Sequence, residues 1–159
     1  MVILEDSRQQ AGKHEIKHAA WEADGDEIIR SKIVFGDYCL PPAVAVDTKA
    51  NMAEIAQNIG GTHEEHARFR RECQAAAAAG CRLFVLVEND EGIRTVEDVA
   101  SWHNPRLALS PKAIDGPQLS KAMQTMSKRY GVTFAFCAPE EAAGAIKQIL
   151  KGGGNGEEK

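Results

Sequence analysis

The sequence contains no apolar run long enough to cross a bilayer; the longest, LFVLV at 83–87, has the length of a β-strand. A membrane-spanning helix is not expected. The opening segment MVILEDSRQQ carries carboxylates where a secretory leader needs a continuous apolar stretch, so the expectation is a soluble, intracellular chain, cytoplasmic and without a membrane partner. The four cysteines, Cys39, Cys73, Cys81 and Cys137, show no C-x-x-C spacing, which argues for reduced, mostly buried thiols rather than a disulfide or metal role. A basic excess is missing as well: 19 Lys and Arg stand against 23 Asp and Glu, a formal net charge of -4. Nucleic acid would then have to be held by a local patch or a metal site, not by the field of the whole molecule. No internal repeat divides the chain.

What is present is the makeup of one globular domain: 159 residues, 43% apolar and 26% charged, enough for a full core and too short for two. VILE at 2–5 reads as a buried strand broken by DSRQQAG, and KHEIKHAAWEA as a helix ended by DGD. From Glu27, EIIRSKIVFGDYCLPPAVAVDTK carries β-branched residues, a Gly-Asp and a Pro-Pro, the marks of successive strands joined by tight connections. A short helix follows from Asn51 to about Asn58. Thr62 is placed to cap the next one, HEEHARFRRECQAAAAA, which ends at Gly80. RLFVLVE is a continuous apolar strand of the kind covered on both faces. TVEDVASW suggests a small helix, and 102–116, punctuated by Pro105, Pro111 and Gly116, a long polar connection. Helix QLSKAMQTMSKRY, strand VTFAFC and helix PEEAAGAIKQILK close a domain spanning 1–150, with 151–159 as a disordered tail. The order βα, several strands, then αβαβα argues an α/β sandwich with a mixed sheet.

The sharpest chemistry lies in GDYCLPPAVAVDTK. Alternation along AVAVDTK puts Ala45, Asp47 and Lys49 on one face and Val44, Val46 and Thr48 on the other, so the valines turn to a core and the Asp-Lys pair to something polar. Asp37 opens the preceding strand. Two carboxylates on neighbouring strands repel unless a cation sits between them, and hard oxygen ligands suit Mg2+ or Mn2+. A lysine beside them supplies compact positive charge against a developing phosphate charge. This is the D…(D/E)-x-K arrangement of metal-dependent phosphodiester hydrolysis. The plainer reading of the same residues is a hairpin edge with solubilising charges.

The motifs resemble the nuclease domain of the XPF-type structure-specific endonucleases, part of the PD-(D/E)xK superfamily, in a short stand-alone version. That family carries V-D-x-R-E near its N-terminus, then G-D-Y, about eight residues, and V-E-R-K followed four residues later by Asp. Here EDSRQ stands at 5–9, GDY at 36–38 and VDTK at 46–49, with eight residues between Asp37 and Val46. The resemblance implies a restriction-endonuclease-like fold, a three-layer α/β/α arrangement around a central mixed sheet. It also implies a DNA endonuclease dependent on Mg2+ or Mn2+, acting on branched, flap or junction DNA in repair or recombination, and self-association or heterodimerisation through the C-terminal helices. Carried over position by position, Asp37, Asp47 and Lys49 match the catalytic motif, with Asp37 and Asp47 as metal ligands. Asp6 and Arg8 match the acidic-basic pair of the first strand. Arg68 and Arg71 stand on the helix expected to contact DNA phosphates, and Glu88 matches a supporting glutamate at a strand end.

Four departures bear on activity: Asp47 stands for Glu, Thr48 for Arg, Gln9 for Glu, and Ala53 for Asp, with Glu54 one residue away. They motivate a second reading, a catalytically silent nuclease-fold module that binds DNA or a protein partner. A third comes from HEIKH at 14–18, which spells the H-E-x-x-H zinc-protease pattern, but follows a first strand directly and has apolar Ile16, Ala19, Ala20 and Trp21 suited to packing on a sheet. His63 and His66 fit a solvated helix start better than a metal pair, and WHNPR at 102–106 fits loop anchoring better than DNA contact.

Overall fold

Strand β1 (Val2–Asp6) leads through α1 (Glu15–Ala23) to β2 (Glu27–Ser31), which lies parallel to it at the sheet edge, the usual outcome of a βαβ crossover. β3 (Tyr38–Leu40) and β4 (Val44–Lys49) form an antiparallel pair, and β3 also runs antiparallel to β1. Two further parallel strands, β5 (Arg82–Glu88) and β6 (Thr133–Cys137), complete a six-stranded sheet of order β2-β1-β3-β4-β5-β6. The remaining helices are α2 (Met52–Gly60), α3 (His63–Ala78), α4 (Val96–Val99), α5 (Gly116–Tyr130) and α6 (Ala142–Gly154). This computed structural model describes residues 1–10, 12–31, 36–40 and 44–154. The expected strand residues 32–35 and the Pro-Pro at 41–42 lie outside them.

Strand alternation divides the core into two clusters. Ala45, Leu83, Val85 and Val87 pack with Met52, Ile55, Phe69, Leu119 and Met123 of α2, α3 and α5. Val44, Val46 and Leu86 pack with Trp21, Ile146 and Leu150 of α1 and α6. Because neighbours on β4 and β5 fall in different clusters, the clusters lie on opposite faces of the sheet. β5 is therefore covered on both sides, as its unbroken apolar run requires. The apolar stripes of α5 and α6 are used in these cores: Leu119, Met123, Ile146 and Leu150 are fully buried. Trp21 ties α1 to α6 by donating from Nε1 to the Ala143 carbonyl at 2.9 Å.

Several boundaries differ from the sequence expectation. α5 starts at Gly116, ahead of Gln118, because the Asp115 side chain accepts from the Gln118 N–H and Pro117 sits in the first turn, where no N–H is needed. The 102–116 connection contains a 3-10 turn at Pro105–Ala108, started by the Asn104 side chain. α6 continues to Gly154, one turn beyond the fully buried Leu150 that anchors it, so the segment expected as a tail from 151 begins as helix. Cys73, Cys81 and Cys137 are free and buried. Burial pushes the Cys73 thiol up to about 12 and the Cys137 thiol to about 11, so both are inert at neutral pH. The Cys39 side chain lies outside the described residues.

Candidate active site

The antiparallel strand at the centre of the sheet brings the acidic residues together. β3 runs against both β1 and β4, so its start meets both of their ends. The Asp6 N–H donates to the Asp37 carbonyl at 2.7 Å, and the Asp37 N–H to the Val46 carbonyl at 2.7 Å. Tyr38 pairs with Glu5 and Val46, and all three belong to the α1 face, so Asp6, Asp37 and Asp47 take the opposite face, under α3. There they line a cleft of about 420 Å³ with Arg8, Arg68, Arg71 and Glu72. The chain enters β3 through Gly36 at φ +77°, where an added Cβ would lie 3.1 Å from both the Ala45 Cβ and the Val46 oxygen.

Each sequence-expected residue has a defined partner or place. Asp37 Oδ2 accepts from the Thr48 N–H at 2.7 Å and from Thr48 Oγ1 at 2.9 Å. Thr48 thus orients Asp37 instead of adding charge. Asp47 is buried, with Lys49 Nζ 2.9 Å from its Oδ2 as an ion pair. The Lys49 ammonium also stands 5.4 Å from the centre of the Phe69 ring. Asp6 receives both the Arg8 side chain, Nε to Oδ2 at 2.9 Å, and the Arg8 N–H. Arg68 and Arg71 are exposed on the α3 side of the cleft. Gln9 donates to the Asp37 carbonyl at 3.4 Å. Ala53 is exposed on the first turn of α2, and Glu54 accepts from the Ala50 N–H at 2.7 Å, which closes the turn before that helix.

Glu88 is not brought to the cleft. On β5 it follows Val87, which faces α3, so Glu88 turns to the α1 face and pairs with Lys17 at 3.1 Å. The HEIKH histidines also have their own contacts. His18 Nε2 lies 2.5 Å from Glu5 Oε2, and His14 packs edge-on to Tyr38 with Lys17 Nζ 3.4 Å from its Nδ1. Among the described residues they belong to no group of three or more metal-ligating side chains.

The residue missed in the sequence is Glu72, which accepts from the Gly36 N–H at 2.7 Å and adds a further carboxylate to the cleft wall. Its signal was its spacing: four after Arg68 on one helix, it must share that arginine's face.

These groups hold on to protons. Burial raises Asp47 well above the ordinary carboxylate range, and the Asp37 and Glu72 charges add to this against the pull of Lys49. Burial also raises Glu72, opposed by the Gly36 N–H and Lys49. Burial alone would lower Lys49, but the Asp47 carboxylate outweighs it and holds the ammonium charged. The oxygen donors of Asp37 and Asp47, with water completing the shell, are of the kind that a divalent cation takes. Among the described residues no three His, Cys, Asp or Glu side chains converge as a ready ligand group.

Solved structures similar to this one include two of XPF. XPF from Aeropyrum pernix superposes with a TM-score of 0.67 at 17% identity, over 98% of this chain and 66% of that one. XPF from Aeropyrum pernix in complex with DNA gives 0.65 at 16% identity, over 94% and 63%. The chain thus spans just under two thirds of the length of those proteins. No protein-family model and no curated protein matches it. At this identity the likeness is one of fold, a mixed α/β arrangement shared with the XPF structures.

Proposed function

We propose that the chain is a DNA endonuclease of XPF type, with a restriction-endonuclease-like three-layer fold, that hydrolyses phosphodiester bonds in branched, flap or junction DNA. The observation that carries this reading is the meeting of Asp6, Asp37 and Asp47 in one cleft, beneath the exposed Arg68 and Arg71 of α3, with Lys49 paired to Asp47 at 2.9 Å. The similarity to an XPF structure in complex with DNA supports it. Mg2+ or Mn2+ held by Asp37 and Asp47 would supply Lewis acidity and an activated water. The chain's own residues do the rest. Arg68 and Arg71 hold the strand by its phosphates. Lys49, kept charged by Asp47, offsets the charge that develops on the phosphate under attack. Thr48 fixes the rotamer of Asp37, and Arg8 neutralises Asp6 so that acidic side chains can share the cleft.

The test is cleavage of a panel of flap, fork and four-way junction DNAs with Mg2+ or Mn2+. Asp37→Asn, which keeps an acceptor for Thr48, and Lys49→Ala should each lower the rate by roughly a hundredfold or more. Cleavage that survives both changes would place the chemistry elsewhere.

A second reading is a catalytically silent module of the same fold that binds DNA. It is favoured by the way Thr48, Lys49 and Arg8 each engage a carboxylate. Calorimetry separates the two: no Mg2+ or Mn2+ uptake, with no cleavage of any substrate in the panel, selects the silent module.

A further inference from the structure

Away from the carboxylate cleft, α3 packs against α5, and a groove of about 390 Å³ runs between them. His66 and Arg70 stand one turn apart on α3 and enter it from one side; Lys121, Met126, Arg129 and Tyr130 of α5 line the other. Three permanent cations therefore share one groove, and no carboxylate is among its lining residues, in a molecule whose net charge is -4. None of the three forms an ion pair among the described residues, whereas Arg8, Arg30, Arg94, Lys17, Lys49 and Lys147 all do.

Arg129 alone would need no ligand, because a cation in the last turn of α5 is stabilised by the helix dipole. Arg70 and His66 have no such reason to be there. Arg70 Nε and His66 Nδ1 are both buried, and among the described residues neither has a hydrogen-bond partner. A buried guanidinium N–H left unpaired costs free energy that an acceptor would recover. An anion seated in the groove would meet the guanidinium of Arg70 together with Lys121 and Arg129, which line the same space. Met126 and Tyr130 add an apolar floor, so the body attached to that anion can be flat and unsaturated.

We infer that the groove between α3 and α5 binds a nucleotide phosphate, with Arg70, Lys121 and Arg129 on the phosphate and the adjoining base against Met126 and Tyr130. The phosphate can belong to a free mononucleotide or to a single strand of DNA, and the chemistry of recognition is the same. The inference does not depend on catalysis in the carboxylate cleft, which lies on the other side of α3 with Arg68 and Arg71.

Titration of the full chain with deoxythymidine 5′-monophosphate, thymidine and a six-nucleotide oligothymidylate, followed by amide chemical shifts in nuclear magnetic resonance, tests it. Saturable shifts are expected at His66, Arg70 and Thr125 with the monophosphate and the oligonucleotide, but not with thymidine. Arg70→Gln and Lys121→Glu should each weaken binding by about tenfold or more, the loss of one charge-assisted contact. Lys121 is exposed on its helix, so Lys121→Glu keeps the test valid if the Arg70 variant folds poorly. Binding that is equal for both ligands identifies a mononucleotide site, and tighter oligonucleotide binding a strand site; either supports the inference. Absence of saturable shifts, shifts confined to 36–50, or affinities unchanged in the variants would overturn it. Asp37→Asn separates the two proposals, since it should lower the cleavage rate as stated above and leave these shifts intact.

Discussion

Gly36 shows how one residue without a side chain can organise the carboxylate cleft. Its left-handed backbone turns the chain into β3, its N–H anchors Glu72, and its tight approach to Val46 leaves room for no methyl group. Gly36→Ala should cost about 1–3 kcal/mol, read from the urea midpoint, because both the backbone strain and the contact must be relieved. The substitution should also weaken the proposed uptake of Mg2+ or Mn2+, since Asp37 follows directly. Lys49 acts through charge instead. Lys49→Met strands Asp47 in a buried, acidic neighbourhood, and breaking such a pair costs about 3–5 kcal/mol if the carboxylate stays ionised. Burial, Asp37 and Glu72 already raise Asp47, and loss of Lys49 raises it further, so the orphan will bind a proton. A carboxyl whose folded pKa exceeds its unfolded one stabilises the fold in acid and loses that contribution as pH rises. The Lys49→Met variant should accordingly lose stability from acid to neutral pH more steeply than the parent, and Lys49→Met/Asp47→Leu should recover most of the loss. Equal pH slopes for single variant and parent would mean that the pair is not desolvated.

At the level of elements, α3 and α5 are begun by different devices. Thr62 caps α3 with a reciprocal capping box to Glu65, at the solvent-exposed start of the helix. Thr62→Ala should lower stability by about 1 kcal/mol in a thermal melt. DNA contact should persist, because Arg68 and Arg71 lie beyond the first turn. Gly116 starts α5 against backbone: an added Cβ would stand 2.4 Å from the Trp102 oxygen and 2.7 Å from the Val99 oxygen. Neither can move aside like a side chain, so Gly116→Ala should cost more than Thr62→Ala; the reverse order would show that α5 slides freely on α4. The capping signals of α3 were legible in the chain, as were the apolar run of β5 and the alternation that puts Asp47 and Lys49 on one face. These depend on neighbours in sequence. The contacts of Glu88 are not legible in the chain because β4 and β5 alternate independently, and which residue of β5 shares the Asp47 face is set by their register, Asp47 opposite Val85. Glu72 went unnoticed because its role requires α3 to lie across Gly36, a contact spanning 36 residues of chain.

The whole molecule carries net negative charge, so the DNA binding proposed above would have to rest on cations that are locally concentrated and not already engaged. In the carboxylate cleft Arg8 is tied to Asp6 and Lys49 to Asp47, which leaves Arg68 and Arg71. Each phosphate neutralised on duplex DNA releases counterions and contributes about -0.9 to the slope of log affinity against log salt. Two contacts predict a slope of about -2 for a short duplex, measured by fluorescence anisotropy across a salt series. Arg68→Ala should reduce it to about -1, with affinity falling alike for every sequence, since phosphate contacts do not read bases. A single-stranded extension long enough to reach the α3–α5 groove should steepen the slope, and Lys121→Glu should remove that increment without touching the duplex value. A slope near zero for the short duplex would exclude phosphate contact by α3, whatever the cleft does chemically.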